Sequence, residues 1–130
     1  MVKGTAAKRA TRVARPRQDH QPIDMNHLAR QTMGDPGLQS EVLRLFDTMS
    51  QVYFGRLESS TSVDDLQRHL HTLKGAAAGV GANRIAELAR AAETDLRAGM
   101  PVNPERIGDI GMAVEECSAF IGELLKTEVE

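Results

Sequence analysis

The chain has 130 residues, of which 26% are charged and only 3% aromatic, with no Trp and a formal net charge of −2. That length suits one domain with a modest core of Leu, Ile, Val, Ala and Met. A single cysteine, Cys117, rules out an internal disulfide and fits a reducing, cytoplasmic setting, and no 18-residue apolar run is present to span a membrane.

Charge divides the chain. Residues 1–22 carry six basic side chains (Lys3, Lys8, Arg9, Arg12, Arg15, Arg17) against one acidic (Asp19), whereas the remainder holds ten basic and seventeen acidic residues. The basic segment lacks aromatics and any long apolar run, so it is predicted to be a disordered, solvated tail. It has neither the apolar core of a secretory signal nor the serines of a transit peptide, and it is not expected to bind nucleic acid. Residues 23–130 are then the folded unit.

Helix punctuation follows in order. Asp24 is placed to cap a short helix over about residues 24–33, which Gly34 ends. Asp35-Pro36 restarts the chain as a cap followed by Pro at the first helical position, and the second helix runs to about Glu58. Its predicted buried stripe is Leu38, Val42, Leu45, Met49 and Val52. Ser62-x-x-Asp65 approximates a capping box for a third helix whose stripe is Val63, Leu66, Leu70, Leu73, Ala77 and Val80. Gly81-Ala82-Asn83 breaks that helix. Ile85, Leu88, Ala92 and Leu96 form the seam of a fourth, closed by Gly99. Asn103-Pro104 opens the last, with Ile107, Ile110, Val114, Cys117, Ile121 and Leu124 on one face. Strand-like alternation is missing, so the predicted fold class is all-α: an antiparallel up-down four-helix bundle with a short additional N-terminal helix.

The third helix carries the most informative stretch, His71-Thr72-Leu73-Lys74-Gly75-Ala76-Ala77-Ala78-Gly79-Val80-Gly81. Measured around the helix axis from His71 at about 100° per residue, Ala78 falls at about −20°, Ala82 at about +20°, Gly75 at about +40°, Gly79 at about +80° and Lys74 at about −60°. The apolar stripe centres near about −130°, away from the histidine. A surface histidine is ordinarily only a solvated side chain, a Lys three residues on is common, and small residues often mark close helix packing. Packing residues, however, would lie on the apolar stripe, and four small residues surround His71 instead. Glycine within a helix costs about 1 kcal/mol relative to alanine. A side-chain-poor face offsets that cost if another macromolecule must reach the imidazole. Gly75, Ala78, Gly79 and Ala82 are therefore the expected docking residues. A phosphoryl group suits the chemistry: neutral imidazole, with an unperturbed pKa of about 6.5, is a nucleophile near pH 7. Lys74, one turn away, can compensate the incoming charge.

The run His71-x-x-Lys74-Gly75-Ala76-Ala77, with Gly81 ten residues after the histidine, resembles the signature of histidine-containing phosphotransfer (HPt) domains of bacterial phosphorelays. Pro22-Ile23-Asp24, Leu28, Met33-Gly34-Asp35, Leu38 and Val42-Leu43-x-Leu45-Phe46 resemble the family's opening helix and the start of its second. Ala86-x-Leu88 through Ala92-Glu93 to Arg97-Ala98-Gly99 resembles the helix packed behind the phosphorylated histidine. The resemblance implies a phosphoryl carrier without autokinase activity. His71 would accept phosphate on Nε2 from a receiver-domain aspartate, in a response regulator or hybrid histidine kinase, and pass it to another. It also implies a monomer. In the family the residue twenty-two positions after the histidine commonly hydrogen-bonds the ring's Nδ1, which here is Glu93. Arg90 and Arg97, one turn to either side, are candidates to hold a phosphoryl oxygen or to pair with Glu93. Mg²⁺ is expected on the receiver, with no cofactor or metal held by this chain.

Rival chemistries fit less well. His69 and His71 lie about 200° apart on a helix and cannot chelate one ion, while His20 and His27 fall in or near the tail. The chain leaves no room for an ATP-binding domain. Thr72 stands where kinase dimerisation helices carry an acidic residue, which weighs against a dimeric kinase-like phosphotransferase. A helical interaction adaptor with an unphosphorylated histidine is the remaining alternative. An acid-labile phosphate on His71 separates it from a carrier.

Overall fold

The computed structural model describes residues 21–129, and all of the predicted tail at residues 1–22 but its last two residues lies outside them. Among the described residues five helices follow one another, α1 Met25–Gln31, α2 Pro36–Ser59, α3 Val63–Val80, α4 Asn83–Arg97 and α5 Pro104–Val129, and there is no strand. Helices α2 to α5 form the bundle. Each packs on the next and α5 returns to α2, while the short α1 lies against α3. Short connections between consecutive long helices impose the antiparallel, up-down order.

Local chemistry sets the boundaries. The Asp24 carboxylate accepts from His27 N at the start of α1. Asp35 accepts from Gly37 N and Leu38 N ahead of Pro36, and Asn103 accepts from Glu105 N ahead of α5. Each such cap is worth about 1 kcal/mol. Ser62 Oγ accepts from Asp65 N, but the Asp65 carboxylate pairs with Arg68 rather than reaching back, so only half of the capping box forms. Helix α3 ends at Gly81, whose φ of 86° is left-handed. A side chain there would also meet Asp24, whose backbone O lies 3.0 Å from an added Cβ, and Asp24 N donates to Gly81 O at 2.9 Å. Only glycine meets both demands.

The core joins Leu28 of α1, Leu43, Phe46 and Leu57 of α2, and Leu70, Leu73, Ala77 and Val80 of α3. Ile85, Leu88, Ala92 and Leu96 of α4 and Ile110, Val114, Cys117 and Ile121 of α5 complete it. Burial, reinforced by the Asp47 charge, pushes the Cys117 thiol up to about 12, so it stays protonated as a packing residue. Val63 is exposed and is the one member of the predicted α3 stripe outside the core or its margin.

The predicted stripe of α2 holds only in part. Val42 packs against the core and Met49 is half-buried, but Leu38, Leu45 and Val52 are exposed at 46%, 67% and 45%, while Leu43, Phe46, Ser50 and Leu57 face inward. Two rows of apolar residues run along α2, and the bundle buries the one containing Phe46 and the partly buried Phe54. Ser50 is tolerated there because its hydroxyl donates to Asp47 O within the same helix.

Candidate functional site

Helices α3 and α4 make the most extensive contact in the fold. The stripe of α3 faces the core, which leaves His71 on the outer surface with 73% of its side chain exposed. Glu93, in the third turn of α4, is by contrast almost fully buried, with 4% of its side chain exposed. Its Oε2 lies 3.2 Å from His71 Nδ1, and its Oε1 lies 2.6 Å from Lys74 Nζ. The Lys74 contact is an ion pair whose approach is poorly aligned for a hydrogen bond.

A buried carboxylate without compensation is unfavourable. Burial pushes the Glu93 carboxyl up, but the Lys74 ammonium and the His71 ring together outweigh it and hold the group below its ordinary 4.5. The carboxylate is thus an acceptor only, so the hydrogen on the shared 3.2 Å contact belongs to Nδ1. In the neutral ring, the lone pair then sits on Nε2.

Around the ring the surface is shallow and open, lined by Asp64, Gln67, Arg68 and Thr72. Gly75, Ala78 and Gly79 are exposed along α3, and a Cβ added at Gly75 or Gly79 would meet nothing within 4 Å. Neither glycine is therefore required by packing. Ala82, predicted on this face, is fully buried. The helix ends at Gly81, so the angular extrapolation fails one residue later, and Ala82 instead starts α4 with its N–H bonded to Ala77 O.

The structure thus brings His71, Lys74 and Glu93 together with Gly75, Ala78 and Gly79 nearby, and leaves Ala82 out. Arg90 and Arg97 are exposed on α4, and neither pairs with Glu93, whose cationic partner is Lys74. Sequence reasoning assigned Lys74 to an incoming phosphoryl group and missed this ion pair. The signal was available, since His71 and Lys74 lie on adjoining sectors of α3 and share the helix behind them. His27 lies in α1, within the predicted first helix, where its Nε2 donates to Gly79 O at 3.1 Å and fastens that helix beside the exposed glycines.

Comparison with known proteins gives a family. A family model described as the Hpt domain matches residues 38–127, which takes in all of α3 and α4 and most of α2 and α5. No curated protein and no solved structure shows a significant match to the chain. The matched span covers well over half of the sequence and contains His71, Lys74 and Glu93, and the chain belongs to the Hpt domain family.

Proposed function

We propose that this chain is a phosphorelay intermediate in which His71 Nε2 takes a phosphoryl group from a receiver-domain aspartate and passes it to the aspartate of another receiver. The observation that carries this reading is the division of one imidazole between two environments. Nδ1 is held by the buried Glu93, while most of the ring is open to solvent. Membership of the Hpt family supplies the coarser statement, a phosphotransfer role in two-component signalling.

In the forward step the Nε2 lone pair attacks phosphorus, and the aspartyl O–P bond breaks with its electron pair returning to the carboxylate. The reverse step delivers the group to the second aspartate. Charge on the transferring group is stabilised chiefly by the receiver, whose Mg²⁺ this reading assigns to that partner. The contribution of this chain is an oriented nucleophile, a nearby ammonium on Lys74, and room for approach at Gly75, Ala78 and Gly79.

The test is to mix the chain with a phosphorylated receiver domain and Mg²⁺ and follow where the phosphate goes, screening the receivers of its own cell by initial rate. The expected product is an acid-labile, base-stable phosphate on this chain, absent in His71→Gln, which stays folded because the replaced side chain is exposed. Acceptance retained by His71→Gln overturns the assignment. Receiver binding without phosphate transfer favours the adaptor alternative.

A further inference from the structure

A groove of about 500 Å³ runs between α2 and α5, and none of its lining comes from α3 or α4. Phe54, Gly55, Gly111 and Ala119 supply its apolar surface, and a Cβ added at Gly55 would meet nothing within 4 Å, so the groove is open there. Glu58 of α2 and Glu115 of α5 stand exposed in the same lining, and neither is paired with a cation among the described residues. Apolar area beside two free carboxylates suits small apolar side chains flanked by positive charge.

This chain carries such a segment. Residues 1–20 hold six Lys or Arg side chains against one Asp, and Arg12-Val13-Ala14-Arg15 sets two apolar residues between two guanidinium groups. The described chain starts at Gln21, which sits with Pro22, Ala113 and Glu116 in a depression between α4 and α5. Arg84, on the α4 wall of that depression, repels a cationic segment and turns it toward α5. Glu116 at the depression and Glu115 at the groove are consecutive, about 100° apart around α5. A helix with its side chains is about 10–12 Å across, and the seven residues from Ala14 to Gln21 reach up to about 23 Å. The surface on the way is acidic. Glu105, Asp109 and Glu123 are exposed on α5 with Glu115 and Glu116, while Arg106 and Lys126, the cations of that helix, pair with Asp95 and Glu123.

We propose that residues 1–20 dock on their own bundle, crossing the acidic face of α5 and setting Val13 and Ala14 into the α2–α5 groove with Arg12 and Arg15 beside Glu58 and Glu115. The composition of the segment alone predicts a solvated tail, but its attachment beside an acidic helix gives it a surface to occupy. Tethering holds it at an effective concentration of about 1 mM, so contacts too weak to retain a free peptide suffice. Exposed charge pairs are screened by salt, so the docked segment is released as ionic strength rises. While docked it closes the groove to other basic partners and leaves the His71 surface free. This holds whether or not His71 is the phosphoacceptor.

The experiment places a spin label on Ala10→Cys in the full chain, which leaves residues 12–15 intact, and Cys117 is buried and escapes labelling. Amide spectra are compared with the label oxidised and reduced. The expected result is loss of the Gly55, Gly111 and Ser118 signals, with those of Gly75 and Gly79 retained. The lost signals should return in Glu58→Gln/Glu115→Gln, and also at about 1 M salt, where the Debye length is about 3 Å. In the unlabelled chain, Arg12→Gln/Arg15→Gln should shift the Gly55 and Gly111 amides. Signal loss that is absent, evenly spread or centred on another face overturns the inference, as do unshifted groove amides in Arg12→Gln/Arg15→Gln. Loss that persists both in salt and in the Glu58→Gln/Glu115→Gln variant overturns recognition by charge. Loss at the groove of nitrogen-15 chains that appears only on mixing with labelled nitrogen-14 chains puts a second copy's segment there and overturns docking within one chain.

Discussion

The α3–α4 side and the α2–α5 side of the bundle are made of the same kind of helix, yet they treat polar groups differently. Between α3 and α4 a carboxylate is buried at 4% side-chain exposure and held by a lysine and a histidine. Between α2 and α5 the contact includes Gly111 close to the Phe54 ring, with an exposed hydrogen bond from Gln51 to Ser118. Burying a charge stabilises little even when it is paired, because desolvation of both partners opposes their attraction. A fold that needed only to close would have used the α2–α5 solution twice. The buried charge stands where an exposed imidazole needs it, which separates the working side of the molecule from the supporting side.

Two glycines, one on each side, test that separation most severely. Gly75 of α3 has open space around it, so Gly75→Leu should leave the melting temperature unreduced yet slow phosphoryl transfer from a receiver by about a hundredfold through misplaced docking. Direct labelling by phosphoramidate should continue, and undiminished transfer from the receiver would refute the access argument. Gly111 of α5 is the reverse case, since an added Cβ would come 2.5 Å from Phe54 Cζ. Gly111→Leu should cost about 1–3 kcal/mol by overpacking, measured by urea unfolding, while His71 still accepts phosphate wherever the protein remains folded. Equal effects of the two substitutions on transfer and on stability would erase the distinction.

Acid sharpens the same comparison. The carboxyl of Glu93 is held below its ordinary 4.5 in the folded protein, so the stability it contributes is fully present above that value. That contribution is lost as pH falls through the lower folded value. Glu93→Gln should therefore flatten the acid limb of the stability curve, whereas substitutions on the α2–α5 side should leave its shape unchanged. An unaltered acid limb in Glu93→Gln would contradict the ion pair. The smallest effect belongs to Gly79, exposed and without neighbours for a Cβ: Gly79→Ala should raise stability by about 0.5–1 kcal/mol, read as a higher melting temperature.

Much of this organisation was legible in the sequence, because short-range chemistry governs it. Asp24, Asp35, Ser62 and Asn103 declare helix starts through the acceptors they offer, and the α3 stripe is unambiguous because only one face of that helix carries large apolar side chains. On α2 the periodicity is degenerate. Two apolar rows compete, and the choice between them depends on what the neighbouring helices present, including the space at Gly111 for Phe54. The all-aliphatic row Leu38, Leu45 and Val52 is the more regular in sequence, but it is the exposed one. Ala82 shows a different failure, because a helical projection holds only until the helix stops and the left-handed Gly81 stops it one residue too soon. The ion pair of Lys74 with Glu93 was legible only in part: His71 and Lys74 lie on adjoining sectors of α3, but that both Glu93 oxygens reach them depends on how closely α3 and α4 pack.

The central claim is that one ring nitrogen of His71 is fixed by Glu93 and the other does the chemistry. Phosphorus–nitrogen correlation spectra of the chain, recorded after transfer from a phosphorylated receiver, test it most directly. The account predicts a phosphorus coupled to Nε2 of His71, with the hydrogen retained on Nδ1. Phosphate bonded to Nδ1, or carried on another residue, would contradict it.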